Sequence, residues 1–247
     1  MKQIIGNMLS LVALSSFANA EVFTTQKQEI KYTLSTDKPL NFKFTLKSAK
    51  KENCEIEFTL LDNKNKTLLF DKYSRKESQK IYNVPVNSGK YLLKMKNYSH
   101  NAFCVDKPFD LSLSKITGNY EIEPNNSNIN PTSLIESKYF TGYLQSQYGQ
   151  NKDTDFYKID IPKDGKMTLA FKNEKLDKKY IWNVEVLDTS NKKVFYKQTA
   201  LNQDGFNELV QVKKGTHFIK IYSESDPYSI KYISNKEYNI AYLFHTK

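Results

Sequence analysis

Apolar and polar residues alternate with a period of two along most of this 247-residue chain. One such segment places four apolar residues on a single face: Leu40, Phe42, Phe44 and Leu46. Successive side chains of a β-strand point to opposite faces, so this pattern predicts strands with one buried and one solvated face. A helical period is nearly absent, which favours an all-β fold of antiparallel sandwiches.

The alternating segments occur twice in the same order. Four pairs of segments correspond: 32–48 with 157–173, 56–70 with 182–196, 84–96 with 210–222, and 109–115 with 238–244. This correspondence predicts an internal duplication of one all-β unit of about 100 residues. We therefore predict two tandem domains, at 21–117 and 118–247, and the second has a longer N-terminal portion at 120–155.

The N-terminus resembles a secretory signal peptide. Residues 1–20 contain Lys2, an apolar run and the sequence Ala-Asn-Ala, so cleavage is expected after Ala20. The apolar run is short for a membrane-spanning helix, and no later segment is apolar enough to be one. We expect a periplasmic or secreted protein without a transmembrane segment.

The chain has two cysteines, Cys54 and Cys104, both in the first half. In an oxidising compartment an isolated pair favours a disulfide, and the alternation places Cys54 on the buried face of its strand. A metal site formed by these two residues would need further His or Cys ligands, and none lies nearby at ligand spacing.

The formal net charge is +10, and lysines scattered between apolar residues supply most of it. Scattered lysines are typical of solvated strand faces and protected sheet edges. The alternative is a weak attraction to anionic surfaces such as envelope polymers or lipid headgroups. No recognition motif indicates nucleic-acid binding.

No motif of a known catalytic centre occurs, and we assign no catalytic residues. Trp182 and His217 both lie on the buried alternation of their strands and are interpreted as core residues. A carboxylate pair or a triad assembled by the fold would be invisible in the sequence, so an enzyme with an unrecognised site stays an alternative.

Oxygen-bearing side chains cluster at the start of the second half. Four of them fall within six residues, and two more precede the next strand: Glu121, Glu123, Asn125, Asn126, Asp153 and Asp155. Calcium takes six to eight oxygen ligands from carboxylates, amides and backbone carbonyls. These residues therefore predict a calcium site. The alternative is a polar linker in which Asn and Asp only cap turns.

Several motifs of the second half resemble the bacterial pre-peptidase C-terminal domain, including the collagen-binding domains of clostridial collagenases. They are EIEPNNS at 121–127, GYL at 142–144, DTDFYKIDIPKDGKMTL at 153–169, the strand of Trp182, and KKGTHFIKIY at 213–222. The resemblance covers most of 120–245, and the first half resembles a degenerate copy. It implies two tandem jelly-roll-like antiparallel β-sandwich domains that act as non-catalytic accessory modules and often bind calcium.

The resemblance also implies roles for single residues. Glu121, Glu123 and Asn125 match the metal-binding segment of the family, and Asp155 matches the second of its two aspartates. Asn126 stands where the family usually has Asp. The first aspartate position is occupied by Lys152, with Asp153 one place late, so this chain offers fewer carboxylates.

An aromatic surface is the second candidate site. Tyr196 and Tyr222 match tyrosines of the collagen-binding face, whereas Lys220 and Glu224 depart from it. Phe218 shares the outward face of its strand with Tyr222, which predicts an exposed ligand-binding patch. The alternative is that tyrosine is simply a good strand former.

These observations predict an exported, non-catalytic binding module that recognises a protein or an envelope polymer, with calcium stabilising the second domain. Two alternatives belong to other classes. One is an envelope assembly factor, chaperone or inhibitor of an exported enzyme, and the other is a hydrolase with an unrecognised site.

Overall fold

The computed structural model describes residues 20–26, 29–46, 55–74, 80–97, 109–115, 118–144, 153–173, 180–199, 203–225 and 236–245. These segments contain strands and turns but no helix. The described part of the first half contains eight strands: β1 Ala20–Gln26, β2 Glu29–Thr36, β3 Leu40–Leu46, β4 Glu55–Leu61, β5 Thr67–Ser74, β6 Lys80–Val86, β7 Gly89–Asn97 and β8 Phe109–Lys115.

Ten strands lie in the described segments of the second half, and the first three have no equivalent in the sequence repeat. They are β9 Asn119–Tyr120, β10 Thr132–Ser133, β11 Phe140–Leu144, β12 Thr154–Ile161, β13 Gly165–Asn173, β14 Tyr180–Asp188, β15 Lys193–Gln198, β16 Gly205–Val212, β17 Gly215–Ser225 and β18 Lys236–His245. The prediction of an all-β chain of antiparallel sandwiches is confirmed.

Each half builds two sheets around a core of its own. In the first half a sheet of order β1-β2-β7-β4-β5 shares its core with a sheet of order β6-β3-β8. Phe44 of β3 lies 5.1 Å from Phe58 of β4 in an edge-to-face contact across this core. The alternating apolar residues fill the core because each strand turns every second side chain inward.

The second half repeats this arrangement with sheets of order β10-β12-β17-β14-β15 and β16-β13-β18-β11-β9. Trp182 of β14 is fully buried between the two sheets. The centre of its ring lies 5.5 Å from that of Phe171 and 5.4 Å from that of Tyr238. His217 is also buried, and its Nδ1 lies 3.2 Å from the carbonyl oxygen of Gly215.

The sequence repeat is visible in the strand order. The strands β2, β7, β4 and β5 occupy the positions that β12, β17, β14 and β15 occupy in the second half. Even the turns agree, because Asp62 and Asp188 each accept two backbone N–H groups of the following turn. Asn65 and Asn191, at equivalent places, both have a φ of 61°.

The additional strands of the second half form parallel pairs, whereas the other pairs of described strands are antiparallel. β9 pairs with β11, and β10 pairs with β12, in parallel. A parallel bridge also joins Glu123 to Val86 of the first half. The segment 118–135 therefore contacts both halves.

Several predictions fall outside the described residues. These are the signal peptide up to residue 19, the disulfide between Cys54 and Cys104, and the position of Lys152. The domain boundary at 117/118 stays a prediction, although no sheet contains strands from both sides of it. Within the described segments, no helix has the length and apolar character needed to cross a membrane.

Candidate metal centre

The backbone of the segment at 121–125 is held in an extended path by partners on both sides. The N–H of Glu121 donates to the carbonyl oxygen of Thr141 at 2.9 Å, and that of Glu123 donates to Pro85 at 3.0 Å. The carbonyl oxygen of Asn125 accepts the N–H of Phe156 at 2.9 Å. Residues 121, 123 and 125 are buried, whereas the residues between them are half-buried.

This path brings three carboxylates together. Glu121, Glu123 and Asp155 are 0%, 2% and 0% exposed, and each offers an oxygen within 4.8 Å of the other two. Asp155 reaches the cluster from β12, where it precedes the buried Tyr157 by two residues. Asn125 is also fully buried beside them.

Two buried tyrosines donate hydrogen bonds to the carboxylates. Tyr157 donates its hydroxyl to Glu121 Oε2 at 2.9 Å, and Tyr238 donates to Asp155 Oδ2. The two hydroxyl oxygens lie 2.6 Å apart. Glu121 also accepts the backbone N–H of Tyr143, and its Oε2 accepts the Asn125 amide at 3.2 Å.

Three oxygen atoms of this cluster are buried and have no hydrogen-bond partner: Glu123 Oε1, Asn125 Oδ1 and Asp155 Oδ1. A buried polar group left unsatisfied costs about 1–3 kcal/mol, so native proteins keep few of them. Three such acceptors at one place indicate a site built for an additional positive group.

Mutual repulsion and burial disfavour the charged forms of these carboxylates. Burial first, and then the charge of Asp153, raise the pKa of Glu121 to about 8. Burial and the neighbouring carboxylates hold the pKa values of Glu123 and Asp155 well above their usual range, while Lys66 opposes the shift at Glu123. Within the described segments no Lys, Arg or His forms a salt bridge with the three carboxylates.

Asn126 and Asp153 lie at the edge of the cluster and contact each other. The Asn126 amide donates to Asp153 Oδ1 at 2.6 Å. Asp153 is buried, and its negative charge raises the pKa of all three central carboxylates. The structure thus brings together all six predicted ligands, four at the centre and these two beside them.

The donor set fits a hard divalent cation. The central cluster offers only oxygen atoms, from three carboxylates and one amide carbonyl, and its three unpartnered oxygens are hard acceptors. Calcium accepts such oxygen ligands in flexible geometry, whereas zinc sites in proteins favour nitrogen and sulfur. Glu121, Glu123, Asn125 and Asp155 are the residues that would hold calcium.

The predicted aromatic surface lies on the outward face of the sheet containing β14, β15 and β17. Tyr196 donates to Asn183 Oδ1 at 2.7 Å, and Tyr222 donates to Glu185 Oε1 at 3.2 Å. Lysines cover both rings, with Lys193 Nζ 4.7 Å from the centre of the Tyr196 ring and Lys220 Nζ 4.6 Å from that of Tyr222.

Glu185 links the two covered rings. It is buried on this outward face and pairs with Lys193 at 2.6 Å and with Lys220 at 3.8 Å. Phe218 lies on the same strand face, half-buried. The patch is therefore a polar network around the exposed Tyr196 and the half-buried Tyr222, and its role in ligand binding stays a prediction.

The comparisons with known proteins gave fold matches only. No family model and no curated protein matches the chain. The chain is similar to the pre-peptidase C-terminal domain of collagenase from Bacillus anthracis, with 15% identity and a TM-score of 0.34, over 45% of this chain and 93% of that one.

Two larger structures also show similarity. One is isomalto-dextranase from Arthrobacter globiformis complexed with panose, with 8% identity and a TM-score of 0.29, over 86% of this chain and 36% of that one. The other comprises the M60 catalytic domain and two CBM51 domains of ZmpB from Clostridium perfringens. It has 8% identity and a TM-score of 0.27, over 88% of this chain and 34% of that one. The first of these three structures carries the name of the family that the sequence motifs of the second half resemble.

Proposed function

We propose that this chain is a non-catalytic binding module whose second half is stabilised by calcium. The observation that carries the proposal is the group of three unpartnered, buried oxygens on Glu123, Asn125 and Asp155. A divalent cation would satisfy all three and compensate the repulsion between the carboxylates.

Calcium at this position would fasten the segment at 121–125 to the body of the second half. Its ligands come from that segment and from β12, which are also joined by the backbone bond between Phe156 and Asn125 and by the bond from the Tyr157 hydroxyl to Glu121. Because Glu123 also pairs with Val86, the same ion would stabilise the contact between the two halves. The metal has a structural role in this proposal, and recognition of a protein or polymer occurs elsewhere on the surface.

The export that the N-terminal sequence predicts would suit a calcium site of moderate affinity. Extracellular calcium modules bind with dissociation constants of about 10⁻⁴–10⁻³ M, which matches their surroundings. Asn126, an amide beside Asp153, adds no negative charge to the site. We therefore propose an affinity in that range rather than that of an intracellular sensor.

Equilibrium dialysis against calcium tests this proposal. We expect one ion per chain, with a dissociation constant of about 10⁻⁴ M or weaker, and loss of that binding in Asp155→Asn. The matched control is Asp160→Asn, which removes an exposed carboxylate from the same strand. Absence of binding at millimolar calcium, or equal binding by the Asp155 variant, would contradict the proposal.

A further inference from the structure

A cleft of about 820 Å³ lies between the two halves of the chain. Two turns of the first half, at 62–66 and 87–91, form one wall, and the segment 118–135 forms the other. Its volume falls within the range of about 300–1,000 Å³ that is usual for small-molecule sites. The cluster of Glu121, Glu123 and Asp155 lies behind this second wall. Its buried member Glu123 also lines the cleft.

Three lysines give this cleft a positive rim. Lys64 and Lys90 are exposed and Lys66 is half-buried, and all three come from the two turns of the first half. Within the described segments none of their amino groups forms a salt bridge. Other lysines, such as Lys158 and Lys213, do pair with carboxylates.

The two acidic residues of the cleft do not neutralise this rim. Asp62 Oδ1 accepts the backbone N–H groups of Lys64 and Lys66 at 2.8 and 2.7 Å, so its carboxylate is engaged in its own turn. Glu123 is directed into the metal cluster, where a bound calcium ion would compensate its charge. The cleft therefore favours a ligand with negative charge.

The remaining lining is rich in amides and hydroxyls. Asn63, Asn87, Ser88 and Ser133 line the cleft, and the structure gives their side chains no hydrogen-bond partner among the described residues. Such groups both donate and accept hydrogen bonds, which suits a ligand covered with hydroxyls. The half-buried Tyr120 and exposed Ile135 add a small apolar surface.

We infer that this cleft binds an acidic polysaccharide, with Lys64, Lys66 and Lys90 contacting its anionic groups. The inference deepens the proposed binding function, and rests on it, by naming the ligand class and the site. A peptide ligand would call for apolar side-chain pockets or a free strand edge, and neither dominates this lining. Either carboxylate or phosphate groups on the sugar would supply the charge.

The test compares binding of defined polymers to the full chain by isothermal titration calorimetry in calcium. Hyaluronate, which stays in solution with calcium, is the carboxylate probe and a phosphorylated mannan is the phosphate probe, with neutral dextran as the uncharged control. We expect at least one acidic polysaccharide to bind and dextran not to bind. Binding of neither acidic probe would overturn the inference.

A triple variant, Lys64→Gln, Lys66→Gln and Lys90→Gln, locates the site. We expect it to weaken binding about tenfold, because each exposed ion pair contributes only a few-fold in affinity. The matched control removes three exposed lysines of the second half, Lys163→Gln, Lys166→Gln and Lys172→Gln, and should keep the affinity within about twofold.

Two results would contradict the inference at this stage. If the two triple variants lose the same amount of affinity, the polymer is attracted by net charge alone. If polyglutamate binds as tightly as the acidic polysaccharides, the sugar is not recognised. Thermal unfolding in calcium and in chelator accompanies each sample. If calcium still raises the melting temperature but no polymer binds, the proposal for the cleft is wrong and the proposed calcium site stands. If calcium does not raise the melting temperature, the proposed calcium site is wrong.

Discussion

Replacement of Gly142 by alanine is expected to destabilise the protein and abolish its response to calcium. A Cβ at this position would lie 2.3 Å from the Tyr238 ring and 2.4 Å from the Tyr157 hydroxyl. These two tyrosines hold Glu121 and Asp155 in place. Because both rings are buried, they cannot move aside without disturbing the core, and overpacking of this kind costs about 1–3 kcal/mol.

Thermal unfolding in calcium and in chelator measures both effects. For a chain of this length a loss of 3 kcal/mol lowers the melting temperature by roughly 6–12 °C. The control is Gly215→Ala, where φ is +122° but no atom lies within 4 Å of the added Cβ. This control should also lose stability, through backbone strain, while it keeps the calcium response. An unchanged calcium response in the Gly142 variant would contradict the support that we assign to the tyrosine pair.

Asp155→Asn is expected to have opposite effects in chelator and in calcium. In chelator the variant should be more stable than the wild type by about 1–3 kcal/mol, because the substitution removes one of three crowded buried carboxylates. The new amide can also donate a hydrogen bond to a neighbouring carboxylate. In calcium the wild type should gain stability and the variant should not. A stabilising substitution that removes a function is typical of a strained functional site.

Chemical denaturation with a fixed excess of calcium or chelator measures this reversal. Asp160→Asn again serves as the matched control, because Asp160 lies on the same strand but faces solvent and bonds Thr216. That control should respond to calcium as the wild type does. If Asp155→Asn were less stable than the wild type in chelator, the repulsion that we infer between the carboxylates would be wrong.

The sequence was sufficient to predict the strands and the candidate ligands. Period-two alternation identifies inward residues directly, so Phe42, Phe44 and Trp182 could be assigned to cores from the sequence alone. The same alternation applies to Glu121 and Glu123, two residues apart, which therefore share a face. Local spacing of this kind is visible in one sequence.

The residues that support the cluster were not predictable in this way. Tyr238 contacts Glu121 across 117 residues and Asp155 across 83 residues, and nothing in its own strand marks it as a neighbour of acids. Gly142 lies within the GYL motif, but only the packing of two rings against it shows why a side chain is excluded. Such contacts depend on how the two sheets face each other.

The aromatic surface shows a second limit of sequence reasoning. Alternation predicts correctly that Tyr222 and Phe218 share an outward face, with Tyr196 on a strand of the same sheet. It gives no indication that Glu185 lies buried between two lysines that cover the rings. A pattern along one strand records the face of a residue but not what neighbouring strands place above it.

The most direct test of the calcium site is the melting temperature of the full chain in calcium and in chelator at pH 6 and pH 8. The folded-state pKa of Glu121 is raised to about 8, and those of Glu123 and Asp155 are also raised well above their unfolded values, mainly by burial. Stability in chelator is therefore fully present below the unfolded pKa values and is lost as the pH rises through the folded ones. Calcium bound at the proposed site would pair with the ionised carboxylates and oppose this loss. We predict a higher melting temperature in calcium at both pH values, with the larger difference at pH 8; equal melting temperatures with and without calcium at pH 8 would contradict the site.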